Sequence, residues 1–171
     1  MNTDIGKYWL GSDDNYYYHF TTIKNHEMAK YKCLSEGASL ITINRPETQE
    51  FLRQKYGGVN GLWLSANDLK GGDYRWEFAD GSTECISEYT SNWMSNEPNL
   101  EGEHCVIVRN GDQWADVECG STFEFLCQIL KPEYRKSKLR ISLPINICYE
   151  SWTTLLLNPT LLKDESLWSS H

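Results

Sequence analysis

Six cysteines in a chain of 171 residues limit the possible folds more than any other feature of this sequence. No two are spaced as Cys-x2-Cys and no histidines are spaced as His-x3–5-His, which disfavours a structural zinc site. Disulfides are therefore expected, and six cysteines allow fifteen pairings. Because disulfides persist in oxidising compartments, the sequence predicts a secreted or extracellular protein. The six are Cys33, Cys85, Cys105, Cys119, Cys127 and Cys148.

The sequence shows neither a signal peptide nor a membrane-spanning segment. The start, MNTDIGKYWLG, lacks the basic-then-apolar pattern of a signal peptide. Since the cysteines indicate export, we expect a mature chain, a fragment or a wrongly assigned start codon. No apolar run approaches the roughly 18 residues that a membrane-spanning helix needs, so no membrane span is predicted.

Charge divides the chain into two parts. Residues 1–130 carry 10 Lys and Arg against 20 Asp and Glu, whereas residues 131–171 carry 6 against 4. An acidic domain repels phosphate backbones, so nucleic acid is not an expected partner, although ordinary solubility explains most of the acidic residues. We predict one domain over residues 1–130 and a flexible or loosely docked extension over 131–171. The basic run at 131–140 leaves open a tether to an anionic surface or a partner segment.

Hydrophobic periodicity predicts an α+β domain. One helix begins after Asn25, a good cap, and turns Cys33 inward, and a second begins at Pro46 and ends at Gly57. Asn110-Gly111 predicts a hairpin turn, and no period is visible over 83–92, where we expect a loop. The predicted strands are 7–10, 16–21, 39–43, 62–66, 74–78, 105–108, 113–117 and 123–129.

The stretch from 93 to 119 holds four oxygen-bearing side chains suited to one Ca²⁺. They are Glu97, Asn99, Glu103 and Asp116. Ca²⁺ takes six to eight oxygen ligands in flexible geometry, which these residue types supply. Pro98 lies between the first two, and a cis Glu97–Pro98 bond is expected to turn both toward one point.

This stretch resembles the long loop of a C-type lectin domain of the mannose class. The residues that carry the resemblance are Trp93, Glu97-Pro98-Asn99, Glu103-x-Cys105, Trp114-x-Asp116-x2-Cys119 and Cys127, with Trp63-Leu64-Ser65-Ala66 upstream. The resemblance covers about residues 8–130. It implies a C-type lectin-like fold with two helices, small antiparallel sheets and a long calcium-binding loop, stapled by disulfides.

The resemblance also implies the disulfide pairs Cys33–Cys127 and Cys105–Cys119. Two cysteines, Cys85 and Cys148, are left over. Three alternatives remain open for them: a disulfide with each other, a disulfide to another chain that would link an oligomer, or reduced thiols.

In the family, one Ca²⁺ accepts two neighbouring sugar hydroxyls as ligands, and its protein ligands hydrogen-bond the same hydroxyls. Glu-Pro-Asn implies mannose, glucose or fucose rather than galactose. Glu97 and Asn99 would serve both ion and sugar, while Glu103 and Asp116 would hold the metal. We take all four as the candidate calcium and sugar site, with Ca²⁺ as cofactor and mannose-type glycans as partners.

One residue departs from the family pattern: Ala115 stands where the family has an Asn ligand. One oxygen from each of the four side chains and the Asp116 carbonyl make five, and two sugar hydroxyls make seven, which Ca²⁺ still accepts. We therefore expect weak, millimolar-class calcium binding. A second family calcium site is not predicted, because Gly71-Gly72 and His104 replace acidic residues near Asp68.

Three functions follow as hypotheses. The first is a calcium-dependent lectin, secreted as a recognition protein of innate immunity. The second is a degenerate domain that binds a protein without calcium or sugar. The third is a glycosidase that uses Glu97 and Glu103 as acid and base, which no motif supports, so we predict no enzyme.

Other candidate residues have simpler interpretations. Asp13, Asp14 and Asn15 lack the spacing of an EF-hand loop and are expected to be turn residues. Four tryptophans that might stack on sugars are expected in the core instead. They are Trp63, Trp76, Trp93 and Trp114.

Overall fold

The structure is a computed structural model that describes residues 8–69, 74–79, 81–86, 92–99 and 102–130; the predicted extension lies outside these ranges. Two helices and nine strands occur in the described residues, which confirms the α+β prediction. The helices are α1 (His26–Ser35) and α2 (Pro46–Tyr56). The strands are β1 (Trp9–Leu10), β2 (Tyr16–Lys24), β3 (Ser39–Leu40), β4 (Leu62–Asn67), β5 (Arg75–Glu77), β6 (Thr83–Cys85), β7 (Cys105–Arg109), β8 (Gln113–Val117) and β9 (Phe123–Ile129).

The strands join into one network through β4. This strand is buried at all six residues and pairs with β9 in parallel and with β7 and β5 in antiparallel orientation. On one side, β9 pairs with β2 and β3, and β2 pairs with β1. On the other side, β8 extends β7 and β6 extends β5. The expected small antiparallel sheets are therefore connected, with one parallel contact between them.

Both helices begin and end where the sequence predicts. The Asn25 side chain accepts a hydrogen bond of 2.9 Å from the Met28 N–H, which satisfies one free donor of the first turn. Cys33 faces inward and is fully buried. Pro46 starts α2, which ends before Gly57. Neither helix combines the length and the apolar character needed to cross a membrane.

Two disulfides match the pairs implied by the family resemblance. Cys33–Cys127 joins α1 to β9 across 94 residues, and Cys105–Cys119 joins the start of β7 to the residues after β8 across 14. In the chain-entropy model, loops of these sizes contribute about 4.7 and about 3 kcal/mol to stability. Both bonds therefore fix elements that are distant along the chain or flank the candidate site.

Two local predictions need correction. Where a loop was expected over 83–92, residues Thr83–Cys85 form strand β6, paired antiparallel with β5. A three-residue edge strand is too short to show a period, and its register comes from β5. The predicted strand over 39–43 pairs as a ladder only at β3, although Ile41 remains buried and hydrogen-bonds Leu126.

Cys85, in β6, is also disulfide-bonded. Its partner is not among the described residues. Cys148 likewise lies outside them.

The core confirms the prediction for the tryptophans. Trp63, Trp76 and Trp114 have no exposed surface, and Trp93 is half-buried against the hydrophobic cluster that contains Trp76 and Trp114. The rings of Trp76, Trp93 and Trp114 meet edge to face or nearly so. The three fully buried tryptophans are therefore not available for stacking on a sugar.

The predicted turn between β1 and β2 contains a buried carboxylate. Asp13 accepts hydrogen bonds from the hydroxyls of Tyr17 at 2.5 Å and Thr48 at 2.7 Å, and from the Asn15 side chain at 3.0 Å. Arg45 donates to the Asp13 carbonyl oxygen at 2.8 Å. Because Thr48 belongs to α2, this network ties the N-terminal hairpin to the second helix.

We expect Gly111→Ala to destabilise the fold by about 2 kcal/mol. Gly111 has φ +76°, and an added Cβ would lie 2.6 Å from the Leu52 carbonyl oxygen of α2. Gly58→Ala is the matched control, since its Cβ would meet nothing within 4 Å. Urea unfolding of both variants measures the difference. Equal stability of the two variants would show that the hairpin turn does not pack tightly on α2.

Candidate functional site

The β7–β8 hairpin sets the position of the buried acidic residue at the site. Asn110 and Gly111 have φ of 51° and 76°, the left-handed conformations that a tight hairpin turn requires. The resulting register places Asp116 opposite Val106. Asp116 is only 2 % exposed, so its carboxylate must be satisfied by nearby groups.

The loop that carries Glu97 and Asn99 begins as a short parallel bridge to β8. Trp93 pairs with Trp114, and Met94 donates its N–H to the Trp114 carbonyl at 2.8 Å. The Glu97 N–H then bonds the Met94 carbonyl at 3.0 Å, and the Glu97–Pro98 peptide bond is cis, as predicted. The loop therefore leaves β8 and turns back over it.

All four predicted site residues come together in space. Side-chain oxygens of Glu97, Glu103 and Asp116, which we call the carboxylate cluster, lie within 4.8 Å of one another. Asn99 joins them in two ways. Its N–H lies 3.2 Å from both carboxylate oxygens of Asp116, and its side-chain amide donates to Glu103 Oε2 at 2.9 Å.

The cluster concentrates negative charge in a partly dry environment. Burial raises the pKa of Glu97 to about 7, assisted by contact with the Asp116 carboxylate and by the charge of Glu103. Glu97 Oε2 is buried and has no hydrogen-bond partner. If Glu97 and Asp116 are both ionised, neither carboxylate has a proton to donate to the other. The buried Glu97 oxygen then needs either a proton or a cation as a partner.

The donor set fits a hard divalent cation. Every candidate donor is an oxygen, and Glu97, Glu103 and Asp116 form the group of three or more His, Cys, Asp or Glu side chains that converges in the described part of the chain. Carboxylates and amide carbonyls are the ligands that Ca²⁺ takes, and the unpartnered Glu97 oxygen is a ready ligand atom. Glu97, Asn99, Glu103 and Asp116 are thus the residues able to hold the ion.

Ala115 contributes packing and no ligand. It is 3 % exposed, lies opposite Ile107 in the ladder, and belongs to the apolar cluster that contains Trp63. A methyl group has no oxygen to offer an ion. Compared with the family pattern, the candidate site therefore lacks one side-chain oxygen.

At the position of a second family calcium site, two side chains pair with each other. His104 Nδ1 lies 2.9 Å from Asp68 Oδ1, and the Asp68 N–H donates to the His104 carbonyl at 3.2 Å. Gly71 and Gly72 lie outside the described residues. Asp68 is therefore engaged by a neighbouring side chain.

Sequence reasoning missed Tyr74. It begins the predicted strand 74–78, in which aromatic residues alternate with charged ones, and its ring is buried. That pattern predicts a buried ring and no more. It gave no sign that the hydroxyl would reach Asp116 and the backbone of Glu103, which are 42 and 29 residues away. Only the pairing of β4 with both β5 and β7 brings these segments together.

In EDTA, we expect stability to fall as pH rises from about 4.5 through about 7. Glu97 has a higher pKa folded than unfolded, so its stabilising contribution is complete at low pH and lost as the folded carboxyl ionises. Glu97→Gln, which resembles the protonated acid, should flatten this part of the profile, whereas the exposed Glu118→Gln should not. Melting temperatures at several pH values measure it. An unchanged profile for Glu97→Gln would contradict the crowding of these charges.

Part of the chain is similar in sequence to known proteins. Residues 22–129 match the family model described as the lectin C-type domain. Human C-type lectin domain family 17 member A is 30% identical over 122 residues, covering 70% of this chain and 31% of that protein. The human low affinity immunoglobulin epsilon Fc receptor is 34% identical over 115 residues, covering 65% and 33%. The chain thus spans about a third of the length of these relatives.

A solved structure shares the fold. The cow C-type carbohydrate-recognition domain of CD23, crystallised in the presence of GlcNAc2Man3 oligosaccharide, has a TM-score of 0.60 and 28% identity. The match covers 73% of this chain and 94% of that one. Together with the two disulfides and the arrangement of the strands, these matches show that the chain belongs to the C-type lectin domain family.

Proposed function

We propose that this chain is a calcium-dependent carbohydrate-binding domain that takes mannose-, glucose- or fucose-type sugars outside the cell. The observation that carries the proposal is the carboxylate cluster, whose oxygens lie within 4.8 Å of one another beside the Asn99 amide. The unpartnered, buried Glu97 Oε2 supports a cation over an empty acidic surface. The disulfides support an extracellular location.

The exposure of the four candidate residues indicates which would contact the ion and which would also contact the sugar. Asp116 is buried and Asn99 exposed, with Glu97 and Glu103 half-buried between them. Calcium, when bound, supplies coordination positions for two neighbouring sugar hydroxyls. Glu97 would accept a hydrogen bond from one of those hydroxyls, Asn99 would donate one through its amide, and Glu103 would mainly hold the ion. Asp116 would hold the ion from below and would contact sugar least.

The proposal of mannose-type sugars has two supports: the Glu-Pro-Asn sequence and the similarity to a solved domain. Glu97, Pro98 and Asn99 form the sequence that the family resemblance associates with mannose-type sugars. The similar cow domain was crystallised in the presence of an oligosaccharide that contains mannose. A non-enzymatic role fits the same geometry, because Glu97 and Glu103 converge with Asp116 on one point and do not form an isolated acid–base pair.

A second candidate function is binding of a protein without calcium. Ala115 favours it, since this buried methyl group supplies no ligand oxygen where the family has an amide. The relative named as a low affinity immunoglobulin epsilon Fc receptor is, by its name, a receptor for a protein. Under this alternative, the carboxylate cluster would stay protonated or solvated, and calcium would change nothing.

The two functions separate in a thermal unfolding experiment. We expect calcium to raise the melting temperature of the full chain and mannose to raise it further, because a ligand bound only to the folded state stabilises it by about 2.7 kcal/mol at 100 times its Kd. Glu103→Gln should abolish the effect and the exposed Glu118→Gln should preserve it. A melting temperature that is indifferent to calcium, EDTA and mannose would favour the protein-binding alternative.

Restoring the missing ligand provides a gain-of-function test. We expect Ala115→Asn to bind calcium and mannose about tenfold more tightly, the equivalent of one added ligand worth about 1.4 kcal/mol. Ala115→Leu is the matched control, because Leu has a similar size and shape and no polar atom. Titration calorimetry of both variants measures the difference. Equal affinities for Asn and Leu would show that residue 115 does not face the ion.

A further inference from the structure

The hydroxyl of Tyr74 lies between two members of the carboxylate cluster. It is 2.8 Å from Asp116 Oδ2 and 2.8 Å from the backbone carbonyl oxygen of Glu103. A phenol has one proton, so the two acceptors share it. Because Asp116 belongs to β8 and Glu103 to the loop before β7, this one hydroxyl connects the two segments that form the site.

The ring that carries this hydroxyl is held by the core. Tyr74 is 9 % exposed, and its centroid lies 5.2 Å from that of Trp93. Trp93 in turn packs against Trp114, at 5.8 Å between centroids. The position of the hydroxyl is therefore set by buried aromatic packing and does not depend on an ion being present.

Packing alone does not account for the hydroxyl. A phenylalanine ring would fill the same space, so the oxygen of Tyr74 adds a hydrogen bond and nothing else. That bond holds Asp116 Oδ2, while the Asn99 N–H approaches the same carboxylate from the loop. Since Ala115 has no side-chain oxygen, the orientation of Asp116 decides what β8 offers to a cation.

On the basis of the proposed calcium site, we propose that Tyr74 is a positioning residue that fixes Asp116 and Glu103 relative to each other for binding the cation. Groups that orient metal ligands reduce the freedom that the ligands lose on binding, and removing them typically weakens metal affinity 10- to 100-fold. Tyr74 would not touch the ion. Its effect is exerted through the two residues that do.

Tyr74→Phe tests the proposal, with Tyr17→Phe as the matched control. Tyr17 also donates a buried hydrogen bond to a carboxylate, Asp13, but on the N-terminal hairpin away from the cluster. Both variants are expected to lower the melting temperature in EDTA. Only Tyr74→Phe is expected to weaken calcium binding, by about 10- to 100-fold, when Kd is measured by calorimetry on the full chain at a temperature where all forms are folded.

The outcomes distinguish the proposal from the function on which it rests. If the wild-type chain binds no calcium, the proposed function fails and the role of Tyr74 fails with it. If the wild type binds calcium and Tyr74→Phe binds it equally well, the role of Tyr74 alone is overturned. A loss of the same size in Tyr17→Phe would also overturn it, because the effect would then report general destabilisation.

A measurement on the unaltered chain covers the case in which Tyr74→Phe does not fold. The Tyr74 hydroxyl proton is expected to exchange slowly with solvent and to give an observable NMR signal when calcium is bound. Rapid exchange in the calcium-loaded protein, with the signal absent, would show that the hydroxyl does not hold the site.

Discussion

Mutual repulsion among three carboxylates is the interaction around which this structure is arranged. Bringing Glu97, Glu103 and Asp116 within 4.8 Å of one another is unfavourable unless a proton or a cation offsets their charge. The scaffold must therefore hold them together in the absence of either. It does so with rigid supports on each side: the Cys105–Cys119 disulfide at the base of the hairpin, and the bridge between Trp93 and β8.

These supports depend on the deeper core. Strand β4, fully buried, pairs with β5, β7 and β9 and so brings the two halves of the domain into one unit. Trp114 packs against Trp76 in the core and against Trp93, where the segment with Glu97 and Asn99 begins. These ring contacts connect the candidate site to the buried core. The candidate ligands are therefore held close together before any ion binds, and ordering them would cost less than ordering a mobile loop.

Ala115 shows how packing and ligation compete at one position. The residue lies in the hairpin strand next to Asp116, where an oxygen-bearing side chain would serve an ion and an apolar one serves the core. This chain has the apolar residue, so the proposed calcium binding would depend more strongly on the orientation of the remaining candidate donors. The contacts that Asp116 receives from Tyr74 and Asn99 matter for this reason.

The sequence by itself determined much of the local structure, because local features carry their own signals. Asn25, Pro46 and Asn110-Gly111 act within a few residues of themselves, and the helix limits and the hairpin followed from them. The four candidate site residues could be proposed because they lie in one segment of 20 residues, Glu97 to Asp116, whose spacing resembles that of a known family.

The tertiary structure decided what depends on distant partners. Strand β6 takes its register from β5, and the Tyr74 hydroxyl reaches acceptors 29 and 42 residues away. The pairing of His104 with Asp68 likewise joins residues 36 positions apart. None of these contacts leaves a periodic or compositional trace, since each is fixed by how β4 aligns its neighbouring strands and not by the residues next to it in the chain.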